Sequence, residues 1–495
     1  MNQEYHDPRT TLIDSASDQS VLWDVIVIGG GASGLSAAWD AVSRGLRVAL
    51  LEQHDFAKAT SSRSTKLVHG GVRYLQKLEL GLVREALHER HLLLENAPEF
   101  CHPLRFVLPS ERCLERYYYR AGLTLYDLLG SSSNVETSTL HNAKAVRELL
   151  PTLKMKQLRG GVSYSDAQFD DAGMAIALAQ VINASPDGQG LALNYVKVDR
   201  LESNNGKISI LHAQDAETGA TWKMRAKVFI NATGIFTDSF RDKQGIEKKW
   251  SLQMSRGSHI VVPGSVLASK QALIIPKTSD GRVLFAIPWM NHTIIGTTDV
   301  ATDEALSEPT VSQQEIQFLL EEAGRYLGVE KSDILSQWAG LRPLVCKANK
   351  ATKSLSRKHV IELSDNGLVS ILGGKWTTAR AMAEDAIDIA LKAHKLEAKP
   401  SQTATRKLAE YGALPPLNQD DSGDNNIEKA ISNYYTRTPE DYLARRKRKL
   451  FLNAQEAIDQ TDETSASMAK ILGWSDEKQR QSAEQFKALS QNYLP

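Results

Sequence analysis

The segment at residues 23–52 limits most strongly what this chain can fold into. It begins with WDVIVI (23–28), an almost entirely apolar run that is typical of a strand buried on both faces. GGGASG (29–34) and a helical stretch follow, and a second apolar strand at 46–51 closes on Glu52. This order of strand, helix and strand over about thirty residues is one βαβ unit. The sequence therefore predicts a Rossmann-like α/β domain.

Three glycines in this unit have the spacing of a dinucleotide-binding turn. Gly29 would permit the tight turn, Gly31 would let a pyrophosphate approach the backbone, and Gly34 would let helix and strand pack closely. The helix N-terminus supplies free N–H groups and a partial positive charge for the phosphates, and Glu52 would accept hydrogen bonds from the adenosine ribose. An ordinary glycine turn is the alternative, but the strand, the helix and the acid all stand in the expected places.

Two further segments favour a flavin over a nicotinamide cofactor. VFINATG (228–234) has the strand-to-ATG pattern that recurs in flavoproteins. Gly373-Gly374-Lys375 follows another apolar strand and opens a helix, whose positive end would face the N1/O2 edge of a flavin ring. Two helix starts suit a long, two-ended cofactor such as FAD, whereas the glycine pair alone is equally well explained by a tight turn.

Six blocks, in order along the chain, resemble the FAD-dependent glycerol-3-phosphate dehydrogenase family. They are ATSSRSTKLVHGGVRYL (59–75), RGSHIVVP (256–263), FAIPW (285–289), IIGTTD (294–299), AGLRPL (339–344) and GGKWTT (373–378). The resemblance covers residues 20–395 and returns at LARRKRKLFLNAQEA (443–457). It is specific because the blocks occur together. It implies FAD as the cofactor, sn-glycerol 3-phosphate as the substrate and dihydroxyacetone phosphate as the product.

The resemblance also implies the architecture. We expect a FAD-binding domain like those of glutathione reductase and D-amino-acid oxidase, an antiparallel-sheet substrate domain and a C-terminal helical cap. The expected boundaries are a flexible N-terminal arm at 1–20, FAD-binding segments at 21–100, 160–240 and 340–395, substrate segments at 101–159 and 241–339, and the cap at 396–495. The cap looks short, with a polar link near 413–437. In addition, Gly173 stands where relatives often carry an arginine.

A phosphate dianion and a secondary alcohol require cations and a proton acceptor beside the flavin. By the family match, Arg73, Arg342 and Lys375 are the expected cations, and Tyr74 adds a hydroxyl donor. His259 is the candidate base, because a neutral imidazole accepts a proton near pH 7. Arg342 is also expected to polarise the C2 oxygen. The alternatives are surface ion pairs for the arginines and a core position for the histidine.

The remaining expected contacts are to the cofactor. The flavin ring and ribityl chain would meet Thr60, Ser61, Ser62, Lys66 and Leu67, and the backbone of Val198 would meet the adenine. His69 would hydrogen-bond FAD or anchor it covalently, although the family implies non-covalent binding. Thr298 and Asp299 lie near the flavin or serve as turn residues. The cofactor set is completed by Gly70, Gly234, Gly374, Lys375 and Thr377.

Composition bears mainly on partners and location. The 59 basic and 59 acidic residues balance, so no global electrostatic attraction to nucleic acid is expected. Three widely spaced cysteines indicate neither a metal site nor disulfides. The first twenty residues lack the apolar core of a signal peptide, and no run approaches the roughly 18 apolar residues of a membrane span. Together with the cysteine usage this predicts a cytoplasmic protein, with attachment to the cytoplasmic face of the membrane left open. The basic run at 445–449 suggests contact with an anionic membrane face, a solvated helix face or cap packing, and the last two are favoured.

Several functional alternatives remain open. Quinone is the expected electron acceptor, with oxygen as the alternative, and a homodimer is also open. A flavin oxidase of the same fold acting on an amine or a 2-hydroxy acid would need to bind a carboxylate, for which three cations are excessive. A flavin-binding sensor without turnover is disfavoured by the presence of His259, Arg342 and Lys375.

Overall fold

The computed structural model describes residues 7–72, 79–130, 133, 135–348, 358–417 and 424–495. The helices within these ranges are α1 (Pro8–Ser17), α2 (Ala32–Ser43), α3 (Leu80–Asn96), α4 (Cys113–Gly130), α5 (Ala143–Leu149), α6 (Asp171–Ala184), α7 (Thr237–Lys243), α8 (Gln313–Leu327), α9 (Ala379–His394), α10 (Asp424–Tyr434), α11 (Lys449–Leu452), α12 (Ala454–Asp459), α13 (Thr461–Leu472) and α14 (Asp476–Ser490). Two β-sheets organise them.

The first sheet forms around the predicted βαβ unit. Its strands are β1 (Leu22–Ile28), β2 (Val48–Leu51), β7 (Gly190–Leu193), β8 (Val196–Asn204), β9 (Lys207–Asp215), β10 (Thr221–Asn231), β17 (Val360–Leu363) and β18 (Val369–Leu372). They run in the order β17-β18-β10-β1-β2-β7, with β9 beside β10 and β8 beside β9. Strands β18, β10, β1, β2 and β7 are parallel to one another in this order, whereas β17 is antiparallel to β18. The Rossmann-like α/β prediction is confirmed.

Both faces of β1 are covered, which explains why its sequence is apolar throughout. Successive side chains point to opposite faces of a sheet. Val25 and Val27 accordingly join one core with helices α2, α6 and α9, whereas Ile26 and Ile28 join a second core with β8, β9 and β10.

The N-terminal residues 8–17 are helical, so the prediction of a flexible arm at 1–20 is wrong for this part. The Asp7 side chain caps α1 by accepting a hydrogen bond from the backbone N–H of Arg9, and Pro8 occupies the first turn. Arg9 forms an ion pair with Asp215 at 2.8 Å, and Ala16 is fully buried. Helix α1 begins with a proline and packs one apolar face onto the sheet. The polar composition of the segment concealed this helical pattern in the sequence.

The second sheet is mostly antiparallel, as the resemblance implied. Its strands are β3 (Leu67–Val68), β4 (Cys101–Ser110), β5 (Thr139–His141), β6 (Gly160–Phe169), β11 (Trp250–Pro263), β12 (Ala272–Ile275), β13 (Leu284–Trp289), β14 (His292–Gly296), β15 (Val300–Thr302) and β16 (Ser336–Lys347). The path β15-β11-β14-β13-β12-β4-β6-β3 is extended by β16 on β11 and β5 on β6. The long β11–β16 ladder pairs His259 with Trp338 and Ser255 with Arg342.

The boundaries between the two sheets differ from those expected. Strand β6 (160–169) belongs to the second sheet although 160–240 was assigned to FAD binding, and β16 crosses the expected boundary at residue 340. Strand β6 was misplaced because residues buried on both faces look the same in either sheet: all ten of its positions are buried.

The C-terminal residues form a helical cap, and its basic run is buried. Arg445 and Arg446 bind Asp55, at 2.6 and 2.8 Å for Arg446, and Arg448 binds Asp170. Contact of this run with lipid and a solvated helix face are therefore both wrong, while packing of the cap is confirmed. Helix α10 lies within the segment predicted to be a polar link. Every helix in the described ranges is too short or too polar to span a membrane.

Candidate active site

The glycine turn has the geometry that its spacing predicted. Gly29 has φ +111°, and a Cβ there would press against the carbonyl of Ala232. A Cβ at Gly34 would collide with the carbonyl oxygen of Gly29, so only glycine allows α2 to start this close to β1. Gly31 caps α2, and the hydroxyl of Ser61 accepts a hydrogen bond from the next N–H at 2.9 Å.

A cavity of about 350 Å³, here called the glycine-loop cavity, opens above this turn. Its lining includes Gly29, Gly31, Glu52, Thr60, Ser61, Val198 and Gly234. The carboxylate of Glu52 accepts hydrogen bonds from the N–H groups of Gly30 at 2.6 Å and His54 at 2.8 Å. Burial raises the pKa of Glu52 although both bonds oppose this. The Glu52 carboxylate has further lone pairs, so it can still accept hydrogen bonds from the ribose hydroxyls. The residues that line this cavity fit the adenosine and pyrophosphate of FAD.

A second cavity of about 390 Å³ lies against the other sheet, and we call it the arginine cavity. Its lining includes Thr65, Leu67, His69, Thr297, Thr298, Asp299 and Arg342. The guanidinium of Arg342 donates to the hydroxyl of Thr297 at 2.7 Å and to the carbonyl of Thr298 at 3.1 Å. Its side chain is 31% exposed. The guanidinium is thus held by two hydrogen bonds and partly exposed at the wall of this cavity.

The guanidinium is placed by a glycine on the neighbouring strand. A Cβ at Gly257 would clash with the Arg342 guanidinium, which therefore lies across β11. Asp299, whose Oδ1 stands 3.8 Å from Nη1 of Arg342, is held by a hydrogen bond from Ser255. Both Thr298 and Asp299 line the cavity, while their expected position near the flavin stays a prediction.

His259 lies behind this cavity and is 2% exposed. Its ring stacks on Trp338 with centroids 4.0 Å apart, and Nε2 is 3.0 Å from the hydroxyl of Thr65. Burial, followed by the charges of Arg342 and Lys66, lowers the pKa of His259 well below its usual value. The imidazole is therefore neutral near pH 7, which a proton acceptor requires.

The side chain of Lys66 is buried and lines neither cavity, so the expected contact with the cofactor is left to its backbone. Its side chain is 0% exposed, and its ammonium binds both carboxylate oxygens of Asp171 at 2.8 and 2.9 Å and the Ser62 carbonyl at 2.7 Å. The ammonium also lies over the rings of Trp289 and Trp338 at 5.2 and 5.1 Å. Burial lowers its pKa despite Asp171. This lysine is an internal anchor for the loop that lines both cavities.

The other expected residues fall into three groups. The hydroxyl of Thr60 donates to the carbonyl of Leu341 at 2.8 Å, which joins the loop to β16, whereas Ser62 is buried. Gly70 packs so closely on Leu87 and Tyr126 that a side chain there would clash. Arg73 and Tyr74 lie outside the described residues.

The turn after β18 also agrees with its glycine pattern. Gly373 and Gly374 have φ of +72° and +83°, and Lys375 caps the 3₁₀ turn Trp376–Thr378 that leads into α9. Thr377 is buried in that turn. Gly374, Lys375 and Thr377 are not among the residues that line the two cavities. The second helix start thus exists, while its approach to a flavin stays a prediction.

Sequence reasoning assigned no role to three residues of this region. Thr65 connects His259 with the arginine cavity, Trp338 supports the imidazole, and Asp171 neutralises Lys66. Thr65 was inside a recognised block, and Trp338 directly precedes another, so proximity to the motifs was the available signal. Within the described part of the chain, no group of three or more His, Cys, Asp or Glu side chains is arranged for a metal ion.

Comparison with known proteins agrees with this geometry. The family model described as FAD dependent oxidoreductase matches residues 24–384. The fold and the glycine-loop cavity thus define a flavin-dependent oxidoreductase. The mitochondrial glycerol-3-phosphate dehydrogenase of Macaca fascicularis is 39% identical over 94% of this chain and 72% of its own length.

Solved structures show the same relationship. The glycerol-3-phosphate dehydrogenase of Bacillus halodurans, complexed with FAD, covers 100% of this chain and 99% of its own at 27% identity, with a TM-score of 0.79. The L-α-glycerophosphate oxidase of Mycoplasma pneumoniae, with FAD bound, shares the fold over 77% of this chain and 97% of its own, at 19% identity and a TM-score of 0.59. The chain belongs to the family of FAD-dependent glycerol-3-phosphate dehydrogenases.

Proposed function

We propose that this protein oxidises sn-glycerol 3-phosphate to dihydroxyacetone phosphate. The observation that carries the proposal is the guanidinium of Arg342, open to the arginine cavity close to a buried, neutral His259. Arginine is suited to forked recognition of phosphate oxygens or of a developing alkoxide, and a neutral imidazole accepts the proton of the C2 hydroxyl. The names of the relatives from Macaca fascicularis and Bacillus halodurans support the same substrate.

FAD, when bound, would supply the two-electron acceptor for the C2 hydrogen. Gly31 and Glu52 would hold the adenosine end of the cofactor in the glycine-loop cavity. Thr65 and Arg342 line the arginine cavity, where the substrate would bind. Arg73, Tyr74 and Lys375 are proposed to complete the phosphate site. His69 lines the same cavity and is proposed to contact the flavin without a covalent bond.

The test is anaerobic bleaching of the visible flavin absorbance. Glycerol 3-phosphate is expected to bleach the purified holoprotein, while glycerol, lactate and sarcosine are not. Arg342→Ala is expected to slow flavin reduction about 30-fold or more, the lower end of what removing a partly buried charge partner costs, with the visible spectrum retained. Arg105→Ala, at an exposed pair with Glu136, is the matched control. Bleaching by lactate or sarcosine alone would refute the proposal.

We propose quinone as the electron acceptor, reached at a membrane surface through α4. This helix buries Leu123 and Tyr126 but exposes Leu114 (83%), Tyr118 and Leu128. Tyr118 also lines the arginine cavity, so an apolar acceptor meeting this face would stand beside the flavin site. Such an exposed apolar face is typical of an interaction surface.

We propose a lipid surface rather than a second copy of the chain as the partner of this face. Arg112, Arg116 and Arg120 stand on or beside α4, interspersed with Glu111, Glu115 and Asp127, and an apolar helix face flanked by charged residues is the pattern of interfacial binding. The double substitution L114S/L128S is expected to lower cosedimentation with phosphatidylglycerol-containing vesicles at least tenfold. L306S, at another exposed leucine, is the control. A change in oligomeric state without loss of vesicle binding would assign the face to a dimer instead.

Parallel reoxidation separates the two acceptors. After anaerobic reduction, a ubiquinone analogue is expected to restore the flavin absorbance faster than dissolved oxygen does. Faster reoxidation by oxygen would make the protein an oxidase.

A further inference from the structure

The position of His259 raises a question about how its ring exchanges a proton with a substrate. The imidazole is buried and is not among the described residues that line the arginine cavity. Thr65 does line it, is only half-buried, and places its hydroxyl 3.0 Å from His259 Nε2. The hydroxyl of Thr65 therefore stands between the cavity and the ring.

The ring has little freedom to turn toward the cavity. Trp338 stacks on it with an interplanar angle of 21°, and a Cβ at Gly296 would collide with the ring, so the two neighbouring strands enclose it. Nδ1 of His259 makes no hydrogen bond to any residue in the described ranges. Nε2 is thus the ring nitrogen that can exchange a proton, and the hydroxyl of Thr65 is its hydrogen-bond partner.

Thr65 is itself held by its two neighbours. The hydroxyl of Ser64 donates to Asp171 at 2.7 Å, and the ammonium of Lys66 binds the same carboxylate. Lys66 adopts a left-handed backbone with φ 60°, which the buried ion pair stabilises. One internal carboxylate therefore fixes the chain on both sides of Thr65, and the hydroxyl can form a preorganised link.

The charges around the ring favour its neutral form. The charged groups that face His259 are the guanidinium of Arg342, from β16, and the ammonium of Lys66, from the loop before β3. Both are cations. The acids around them are engaged elsewhere: Asp171 on α6 is paired with Lys66, Glu315 on α8 accepts from Ser258 and Thr298, and Asp299 accepts from Ser255. A neutral Nε2 can accept the hydrogen bond of a threonine hydroxyl, which is the arrangement that a proton relay needs.

We propose that Thr65 is a catalytic residue that relays the substrate proton to His259. The proposal rests on His259 being the base of the proposed function. As the C2 hydrogen leaves with its electron pair to the bound flavin, the C2 hydroxyl proton passes to Oγ1 of Thr65. The Thr65 proton passes at the same time to Nε2 of His259. The alcohol becomes a ketone, the flavin gains two electrons, the hydroxyl of Thr65 is restored and the imidazole becomes an imidazolium.

The test compares variants that keep or remove the hydroxyl. Thr65→Val keeps the shape and is expected to slow anaerobic flavin reduction about 100-fold, the lower end of acid–base contributions, without changing FAD content or substrate affinity. Thr65→Ser is expected to restore the rate to within about tenfold. The control is Thr293→Val. Thr293 lies on β14 in the same sheet as His259, and its buried hydroxyl has no hydrogen-bond partner among the described residues. Thr65→Ala, which only removes atoms, repeats the test should Thr65→Val fail to fold.

A second readout does not depend on turnover. In ¹⁵N-histidine spectra of the oxidised holoprotein without substrate, the Nε2 signal of His259 is expected to show an acceptor nitrogen that shifts in Thr65→Val and stays in Thr65→Ser. An unchanged rate and Nε2 signal in Thr65→Val, with His259→Gln inactive, would overturn the relay and keep His259 as the base. Full activity of His259→Gln would overturn the proposed base and the relay with it.

Discussion

Replacing Lys66 by methionine tests whether this lysine is an internal anchor or a cofactor ligand. Methionine keeps most of the apolar stem but removes the ammonium that binds Asp171 and the Ser62 carbonyl. The Asp171 carboxylate is 0% exposed and would be left as a buried charge without its counterion. Breaking a buried pair from one side is destabilising because the remaining charge keeps its desolvation cost.

The magnitude follows from what remains around Asp171. One-sided loss of a buried pair typically costs about 3–5 kcal/mol. Three donors to the carboxylate survive, namely the N–H and hydroxyl of Ser64 and the N–H of Ala172, so we expect the lower end, about 3 kcal/mol. With about 2.1 cal/mol/K of unfolding entropy per residue over 495 residues, the melting temperature should fall by about 3 °C.

The assay is thermal unfolding of the FAD-loaded variant, followed by tryptophan and flavin fluorescence. The double variant Lys66→Met/Asp171→Asn should recover most of the loss, because the uncompensated charge is gone. Lys223→Met, whose side chain is 50% exposed, should change the melting temperature by less than about 1 °C, since exposed pairs contribute little. A Lys66→Met protein with wild-type melting and a shifted flavin spectrum would refute the anchor and return Lys66 to the cofactor.

Four further outcomes are expected. Gly34→Ala should yield protein with FAD affinity reduced at least 100-fold, measured by flavin fluorescence titration, whereas Gly81→Ala, where an added Cβ meets nothing, should bind normally. Arg446→Met should cost about 3 kcal/mol by urea unfolding, because Asp55 loses two of its hydrogen bonds. The acid limb of flavin reduction should lie below pH 6.5, since the lowered pKa keeps His259 neutral until more acidic pH. Stability should likewise fall as pH drops below 6.5, because the unfolded chain takes up that proton first.

The sequence was most informative where function depends on the backbone. Gly29 and Gly34 occupy positions where a side chain is excluded by a neighbouring carbonyl, and such requirements are visible in a local pattern. The order of β1, α2 and β2 follows from the same segment, as does Glu52 at the end of β2. Arg342 and His259 were found through the family blocks, because a lone arginine or histidine in an apolar strand has several possible roles.

The misplaced residues share a different cause. Lys66 was placed against the cofactor because it lies in a cofactor-binding block, and the charge of the basic run left lipid contact, a solvated helix face and cap packing all open. Their partners are far away in the chain: Asp171 is 105 residues from Lys66, and Asp55 is 390 residues from Arg445. Whether a charged side chain is buried depends on a counterion that only tertiary folding supplies.

These distant pairs have a consequence for the cap. The cofactor loop at residues 52–66 is held from the C-terminal side at Asp55 by Arg445 and Arg446, and its Arg63 donates to the hydroxyl of Tyr493 at 2.6 Å. Arg446 and Arg445 keep the pKa of Asp55 low against the effect of burial. The loop that lines both cavities is thus positioned by residues up to 430 positions away. The C-terminal cap therefore supports the loop that lines both cavities, and its loss should be felt first as weaker FAD binding.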